Sequence, residues 1–219
     1  MDPRVIGPTE SQLERWRAEL EGGAERIGWK VGFNSPSAQQ QAGISAPVVG
    51  YLTSTTLLPY GAHLPLDGGT RLMVEPEVAI EVGEKLQAVA LAAAIEVVDV
   101  DAPFSEIEQI VEGNIFHRGF LLGDFRAGYP PPRSAAVLVN GEDRERETVE
   151  SFDSAAIIAL VAETLAVAGE ALVPGDNILA GALTPPVEVS PGDRVGTQLD
   201  NLGMVQLLCK GGPQERTAP

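Results

Sequence analysis

A single cysteine, Cys209, occurs in 219 residues, so an internal disulfide is impossible, and no CxxC or Cys/His cluster offers zinc a site. Aromatic residues make up only 5% of the chain, which leaves the core to Ala, Val, Leu and Ile. Basic residues are outnumbered 15 to 31 by acidic ones, for a net charge of −16. A phosphate-binding or anionic-membrane surface needs Lys and Arg, so nucleic acid and membrane are set aside as partners. The longest apolar run, Ala88 to Ile95, is far too short for a membrane span. The N-terminal stretch shows no basic segment followed by an apolar one, so a reduced, cytoplasmic compartment is expected. Also missing are the GxSxG elbow, the Walker A loop and GxGxxG, which removes support for a serine hydrolase, a P-loop NTPase or a Rossmann enzyme.

Glycine and proline, by contrast, are plentiful at 24 and 17, without a collagen period, and predict many turns. With 44% hydrophobic and 21% charged residues the chain is globular. The pattern predicts a helix over 12–20, capped by Thr9 or Ser11 and stopped by Gly22-Gly23, and a glycine-flanked strand over 27–33. A brief helix follows from Ser35 to Gly43, then short strands from 48 to 82 broken at Pro59, Gly61, Pro65 and Gly68-Gly69. Residues 88–100 begin alanine-rich and end β-branched, so only the finish, 95–100, is read as a strand. A short helix is expected over 105–110 and a strand over 119–122. A strand over 135–139 leads through Asn140-Gly141 into a solvated charge run, 143–150. The clearest helix runs from Ser154 to Ala168, with Asp153 as N-cap and Gly169 as stop. Two Pro-Gly-Asp turns, at 174–176 and 191–193, precede β-rich segments. This is a strand-dominated α/β (α+β) chain without strand–helix alternation. It is expected to divide into an N-terminal helical segment 1–26, a single domain 27–210 and a flexible tail 211–219.

Three glutamates stand out. In Met73 to Val82, alternation puts Glu75, Glu77 and Glu81 on one strand face and Val74, Val78, Ile80 and Val82 on the other. Carboxylates at i and i+2 repel unless a cation or water compensates, and Glu96 interrupts an otherwise apolar strand. Three oxygen donors with no His or Cys beside them suit a hard divalent ion, Mg²⁺ before Zn²⁺. By pattern alone a solvated strand face with Glu96 in a salt bridge is the commoner arrangement. Lys30, between Trp29 and Val31, is either a partly buried acid–base or anion-holding group or an ordinary strand-edge lysine. His117-Arg118 is an acid–base and anion-clamping pair or, more commonly, a satisfied surface turn. His63 is read as loop and Cys209 as packing.

These residues fall within longer matches. Gly28-Trp29-Lys30-Val31-Gly32-Phe33-Asn34-Ser35 resembles the G-Y/W-K-I/V-G-L-T-S stretch of 2-keto-4-pentenoate hydratases and 4-oxalocrotonate decarboxylases, members of the fumarylacetoacetate hydrolase superfamily. Glu75 to Ala79 resembles the E-x-E-I/V-A metal strand of that family, Ala94 to Asp99 its A-I/L-E-I/V-V-D strand, and Gly175 to Thr184 its G-D-x-I/V-L-x-G…T segment. The segment from Pro191 to Gly203 looks like its closing strands, so the matches run in order over most of the chain.

The resemblance implies a mixed β-roll like the fumarylacetoacetate hydrolase C-terminal domain. It implies Mg²⁺ or Mn²⁺ on Glu75, Glu77 and Glu96, Lys30 as the proton-handling or carboxylate-binding group, and Asn114, Leu183 and Thr184 against a small 2-oxo acid. It implies hydration of 2-hydroxypenta-2,4-dienoate first. The alternatives are a 4-oxalocrotonate-type decarboxylase, a catalytically silent metal-binding partner in a lyase complex, or an acylpyruvate C–C hydrolase. A homo-oligomer is also implied. The chain departs from the pattern in several places. P-D-F/Y-G becomes Pro47-Val48-Val49-Gly50 and loses its aspartate. V-D-S-R becomes Val98-Asp99-Val100-Asp101 and loses its arginine. A-D-N-A-S becomes Glu112-Gly113-Asn114-Ile115-Phe116, keeping the asparagine.

Overall fold

β-Branched runs cut by glycine and proline make strands the dominant element. The computed structural model describes residues 2–61, 63–65 and 71–210; the expected tail 211–219 and the Gly68-Gly69 turn lie outside them. The strands are β1 (Arg26–Gly32), β2 (Val48–Thr53), β3 (His63–Pro65), β4 (Leu72–Val82), β5 (Ala88–Asp99), β6 (His117–Leu122), β7 (Arg126–Ala127), β8 (Ser134–Val139), β9 (Glu142–Thr148), β10 (Asn177–Leu179), β11 (Val187–Glu188), β12 (Arg194–Leu199) and β13 (Gly203–Lys210). The helices are α1 (Ile6–Glu21), α2 (Pro36–Ala42), α3 (Ile107–Glu112) and α4 (Ser154–Val167).

Among the described residues the strands form two sheets. The first runs β2-β1-β10-β4-β5-β6, with β11 added to β4 and β7 to β5; the second runs β3-β13-β12-β8-β9. The first sheet curls into a roll. Its β6 edge is met by the chain just beyond β2, where Leu57 bridges Phe120, Leu58 N–H donates to Phe120 O (2.8 Å) and Phe120 N–H donates to Thr56 O (3.0 Å). Strand alternation then gives the roll an inside and an outside. Leu52, Ala79, Ala92, Ala94, Phe120 and Leu179 fill one part of the inside as a small apolar plug. Lys30, Glu75, Glu77 and Glu96 continue the same faces of β1, β4 and β5. Outward-facing Val74, Val78, Ile80, Ile95 and Val97 join the main core with Val137, Val195 and Leu207 of the second sheet and Ile158 and Leu165 of α4.

Several expectations are corrected. Residues 88–99 form one strand throughout, because the narrow inside of the roll accepts Ala92 and Ala94 where tertiary packing outweighs alanine's preference for helix. α1 starts at Ile6, not Gln12, behind a 3₁₀ turn over Pro3–Val5; Pro8 sits in its first turn, where its missing N–H leaves no bond unmade. Thr9 is no cap: its hydroxyl donates back to Val5 O (2.7 Å). α3 lies two residues later than expected, β6 begins at His117, and His63 is in β3 and not in a loop. α4 carries the expected cap, Asp153 accepting from the N–H groups of Ala155 and Ala156, and α2 is capped by Ser35, which accepts from Ala38 N–H. Cys209 is buried in β13, as its packing role requires.

α1 lies against the body through Leu13 and Trp16, whose ring centroid is 5.1 Å from that of Trp29. Arg26 spans both indoles and forms ion-paired hydrogen bonds with Asp176 (2.6 and 2.5 Å), which also accepts from the Trp29 indole N–H (2.9 Å). This cluster ties the second residue after Pro174 to β1. Gly28, at φ 148°, lets β10 run close beside β1; a Cβ there would lie 1.9 Å from Asn177 O.

Candidate active site

Glu75 and Glu96 are direct cross-strand partners in the β4–β5 hairpin, and Glu77 follows two residues on along the same face. One carboxylate oxygen from each lies within 4.8 Å of the others. Lys30 reaches this group from β1, with its Nζ 2.5 Å from Glu96 Oε1 and donating to Ile115 O (2.9 Å). The Lys30 and Glu96 side chains are 2% and 1% exposed, so each charge depends on the other. His117 is the residue whose contribution sequence reasoning left undecided. Its side chain is buried, with Nδ1 2.7 Å from Glu96 Oε1 and Nε2 3.0 Å from Thr56 Oγ1. It is therefore no surface turn. Only the β5–β6 register brings it to Glu96, a link that local sequence does not carry. Arg118 points away and binds Asp99 (2.8 Å).

The electrostatics follow from the partners. Burial alone would raise Glu96, but Lys30 and His117 reverse this and hold it near 2, ionised. Burial and then the Glu96 charge push Glu75 up to about 7. The same two causes, joined by Glu75, raise Glu77 well above its usual value. Burial lowers His117 against the pull of Glu96, and because an ionised carboxylate can only accept, the Nδ1–H of His117 is the donor between them. Both donors to Glu96 use Oε1. Glu77 Oε2 accepts the Gly181 N–H (2.8 Å), whereas Glu77 Oε1 is buried with no hydrogen-bond partner. Three convergent carboxylates, one with an orphaned buried oxygen, and no His or Cys donor in the set fit a hard divalent cation. Gly181 is needed in this arrangement: at φ 99° it delivers its N–H to Glu77, and a Cβ would lie within 2.5 Å of Asn34.

A cavity of about 540 Å³ opens above the carboxylates. Lys30, Glu75 and Glu96 lie on its lining, as do the expected Leu183 and Thr184. Asn114 is not on that lining. Its amide clamps the Tyr51 backbone, accepting from N–H (2.9 Å) and donating to the carbonyl (3.0 Å). Residues 114–116 all take positive φ, and this turn aims the Ile115 carbonyl at Lys30. Val48, at the position of the missing aspartate, packs instead among Ile107, Ile110 and Ile115.

No family model matches the chain. A 4-oxalocrotonate decarboxylase of Pseudomonas sp is 32% identical over 213 residues, covering 88% of this chain and 82% of that protein. A 2-keto-4-pentenoate hydratase of Burkholderia vietnamiensis (strain G4 / LMG 22486) is 28% identical over 214 residues, covering 84% and 78%. Among solved structures, 4-oxalocrotonate decarboxylase from Pseudomonas putida G7, complexed with magnesium and adipate, superposes with TM-score 0.81 at 21% identity, covering 90% of this chain and 83% of that one. Fumarylpyruvate hydrolase from Pseudomonas aeruginosa, in complex with Mn²⁺ and pyruvate, gives 0.65 at 17%, covering 86% and 91%. The fold is that of the fumarylacetoacetate hydrolase superfamily. The chain belongs to the 4-oxalocrotonate decarboxylase and 2-keto-4-pentenoate hydratase family and is an enzyme of that family.

Proposed function

We propose that the enzyme is a Mg²⁺- or Mn²⁺-dependent lyase hydrating 2-hydroxypenta-2,4-dienoate to 4-hydroxy-2-oxopentanoate, with the ion on Glu75, Glu77 and Glu96. The observation that carries this reading is the convergence of those carboxylates beside Lys30, with Glu77 Oε1 left without a partner. When bound, the ion supplies Lewis acidity toward the carboxylate and 2-oxo oxygens of the substrate. Lys30 and His117 both engage Glu96 Oε1, which fixes the plane of a carboxylate that would help to hold the ion. Lys30 holds its ammonium at the cavity wall, where it binds the substrate carboxylate or passes a proton at Nζ. Leu183 and Thr184 bound the substrate opposite, and the Asn114 clamp supports the turn that holds Lys30. A homo-oligomer and a cytoplasmic setting belong to the same reading. Light scattering of the purified protein tests the first.

The second reading is decarboxylation of 4-oxalocrotonate, favoured by the 32% identity to a protein of that name. An ultraviolet assay on both acids, with Mg²⁺ or EDTA, decides between them. Metal-dependent loss of the dienoate band, abolished in Glu77→Gln, supports the hydratase; turnover of 4-oxalocrotonate alone supports the decarboxylase. With metal bound and neither acid turned over, both readings fail.

A further inference from the structure

The cavity is larger and more apolar than a five-carbon acid requires. Its volume of about 540 Å³ lies within the ~300–1,000 Å³ typical of drug-sized ligands. One wall is aromatic. Phe104 packs edge-on against Phe33 (centroids 5.6 Å, 79°) and tilted against Phe116 (6.0 Å, 38°), and all three rings line the cavity while half-buried. Three of the six phenylalanines of the chain are thus spent on one wall. Val98, Val100, Ile115 and Pro186 extend it.

This wall is also where the chain leaves the family pattern. Phe33 stands where the motif has leucine, Val100 where it has serine, Ile115 where it has alanine and Phe116 where it has serine. Each change adds apolar bulk or removes a hydroxyl, and all four positions line the cavity. The arginine of the same motif is Asp101 here, and the Glu147 carboxylate stands on the rim. Among the described residues Lys30 is the only cationic side chain on the lining, and Glu96 and the Ile115 carbonyl already engage it. The other polar lining groups away from the carboxylates, such as Asn34, Ser37 and Gln41, are neutral. A second carboxylate at the far end of a substrate would therefore face phenyl rings and Glu147 with no cation to meet it.

We propose that the site selects a 2-oxo or 2-hydroxydienoic acid with a single carboxylate and a bulky apolar group, aryl or branched alkyl, at its far end. The Phe33–Phe104–Phe116 wall is the specificity surface. This rests on the metal-dependent 2-oxo-acid lyase reading above, and it puts a larger monocarboxylic acid in the place of the five-carbon dienoate.

The test is calorimetric titration of the Mg²⁺-loaded protein with pyruvate, 2-oxo-4-phenylbutanoate and 2-oxoadipate. The phenyl acid is expected to bind at least about tenfold tighter than pyruvate, from the apolar area buried on the wall, and 2-oxoadipate no tighter than pyruvate. Phe104→Ala, at a half-buried turn position, is expected to bring the affinity for the phenyl acid down to that for pyruvate. Val100→Arg supplies the missing cation and raises 2-oxoadipate affinity about tenfold, a gain that a damaged fold does not imitate. Tightest binding by 2-oxoadipate to the unaltered protein, or no gain from the phenyl group, overturns the proposal while the metal-site reading stands. Failure of pyruvate to bind in a metal-dependent way overturns that reading and this proposal together.

Discussion

Lys30 Nζ lies 2.5 Å from Glu96 Oε1, and both side chains are buried within the rolled sheet. Neither charge has water to fall back on, so the pair holds the fold together as well as serving the site. Lys30→Met leaves Glu96 buried with only His117 beside it and is expected to cost about 3–5 kcal/mol. Lys30→Met with Glu96→Gln removes both charges and should recover much of that loss. Urea unfolding of the three proteins measures the difference; equal losses in single and double variants would contradict the pair's role.

The carboxylates also set a pH signature in the metal-free protein. Glu75 is raised to about 7 by burial and by Glu96, so its contribution is fully present below the unfolded value of 4.5 and is lost as pH rises to about 7. Glu96, held near 2 against its burial by Lys30 and His117, contributes above 4.5 and loses that contribution as pH falls toward 2. The two together peak near pH 4.5. Glu75→Gln should lessen the decline on the alkaline side by up to about 3 kcal/mol, leaving the part that the likewise raised Glu77 supplies. Adding Mg²⁺ should flatten the same limb, because the bound ion favours the ionised carboxylates. Chemical unfolding across pH 4–8 checks both; an unchanged slope in Glu75→Gln counts against the assignment.

Gly181 delivers its N–H to Glu77 from a conformation that side chains rarely adopt. Gly181→Ala drives a Cβ into Asn34 and shifts that donor. Metal affinity is expected to fall about 10–100-fold, as for other groups that orient a ligand. Titration with Mn²⁺, followed by its paramagnetic signal, reads this directly.

Arg26 supplies the contrast. Its guanidinium binds Asp176 and lies over Trp16 and Trp29, away from the carboxylates. Arg26→Ala should lower stability by about 2–4 kcal/mol, leaving Asp176 its donors from Trp29 and Val173. Mn²⁺ affinity should stay unchanged. A parallel loss of affinity would show that the Asp176 cluster also positions the site.

The sequence by itself determined the local pattern. Alternation in 73–82 placed three glutamates on one strand face because side chains in a strand alternate whatever lies around them, and the helix signals at Ser35 and Asp153 act within one turn. The ordered motifs identified the family. What only the tertiary structure decided depends on contacts between residues far apart in the chain. The alanine-rich start of β5 became strand because the roll has a narrow inside. Asn114 turned to the Tyr51 backbone, and His117 was drawn to Glu96, because β5 and β6 pair in one register. The phenylalanines at 33, 104 and 116, spread over more than eighty positions, met on one wall through sheet closure, which no local spacing records.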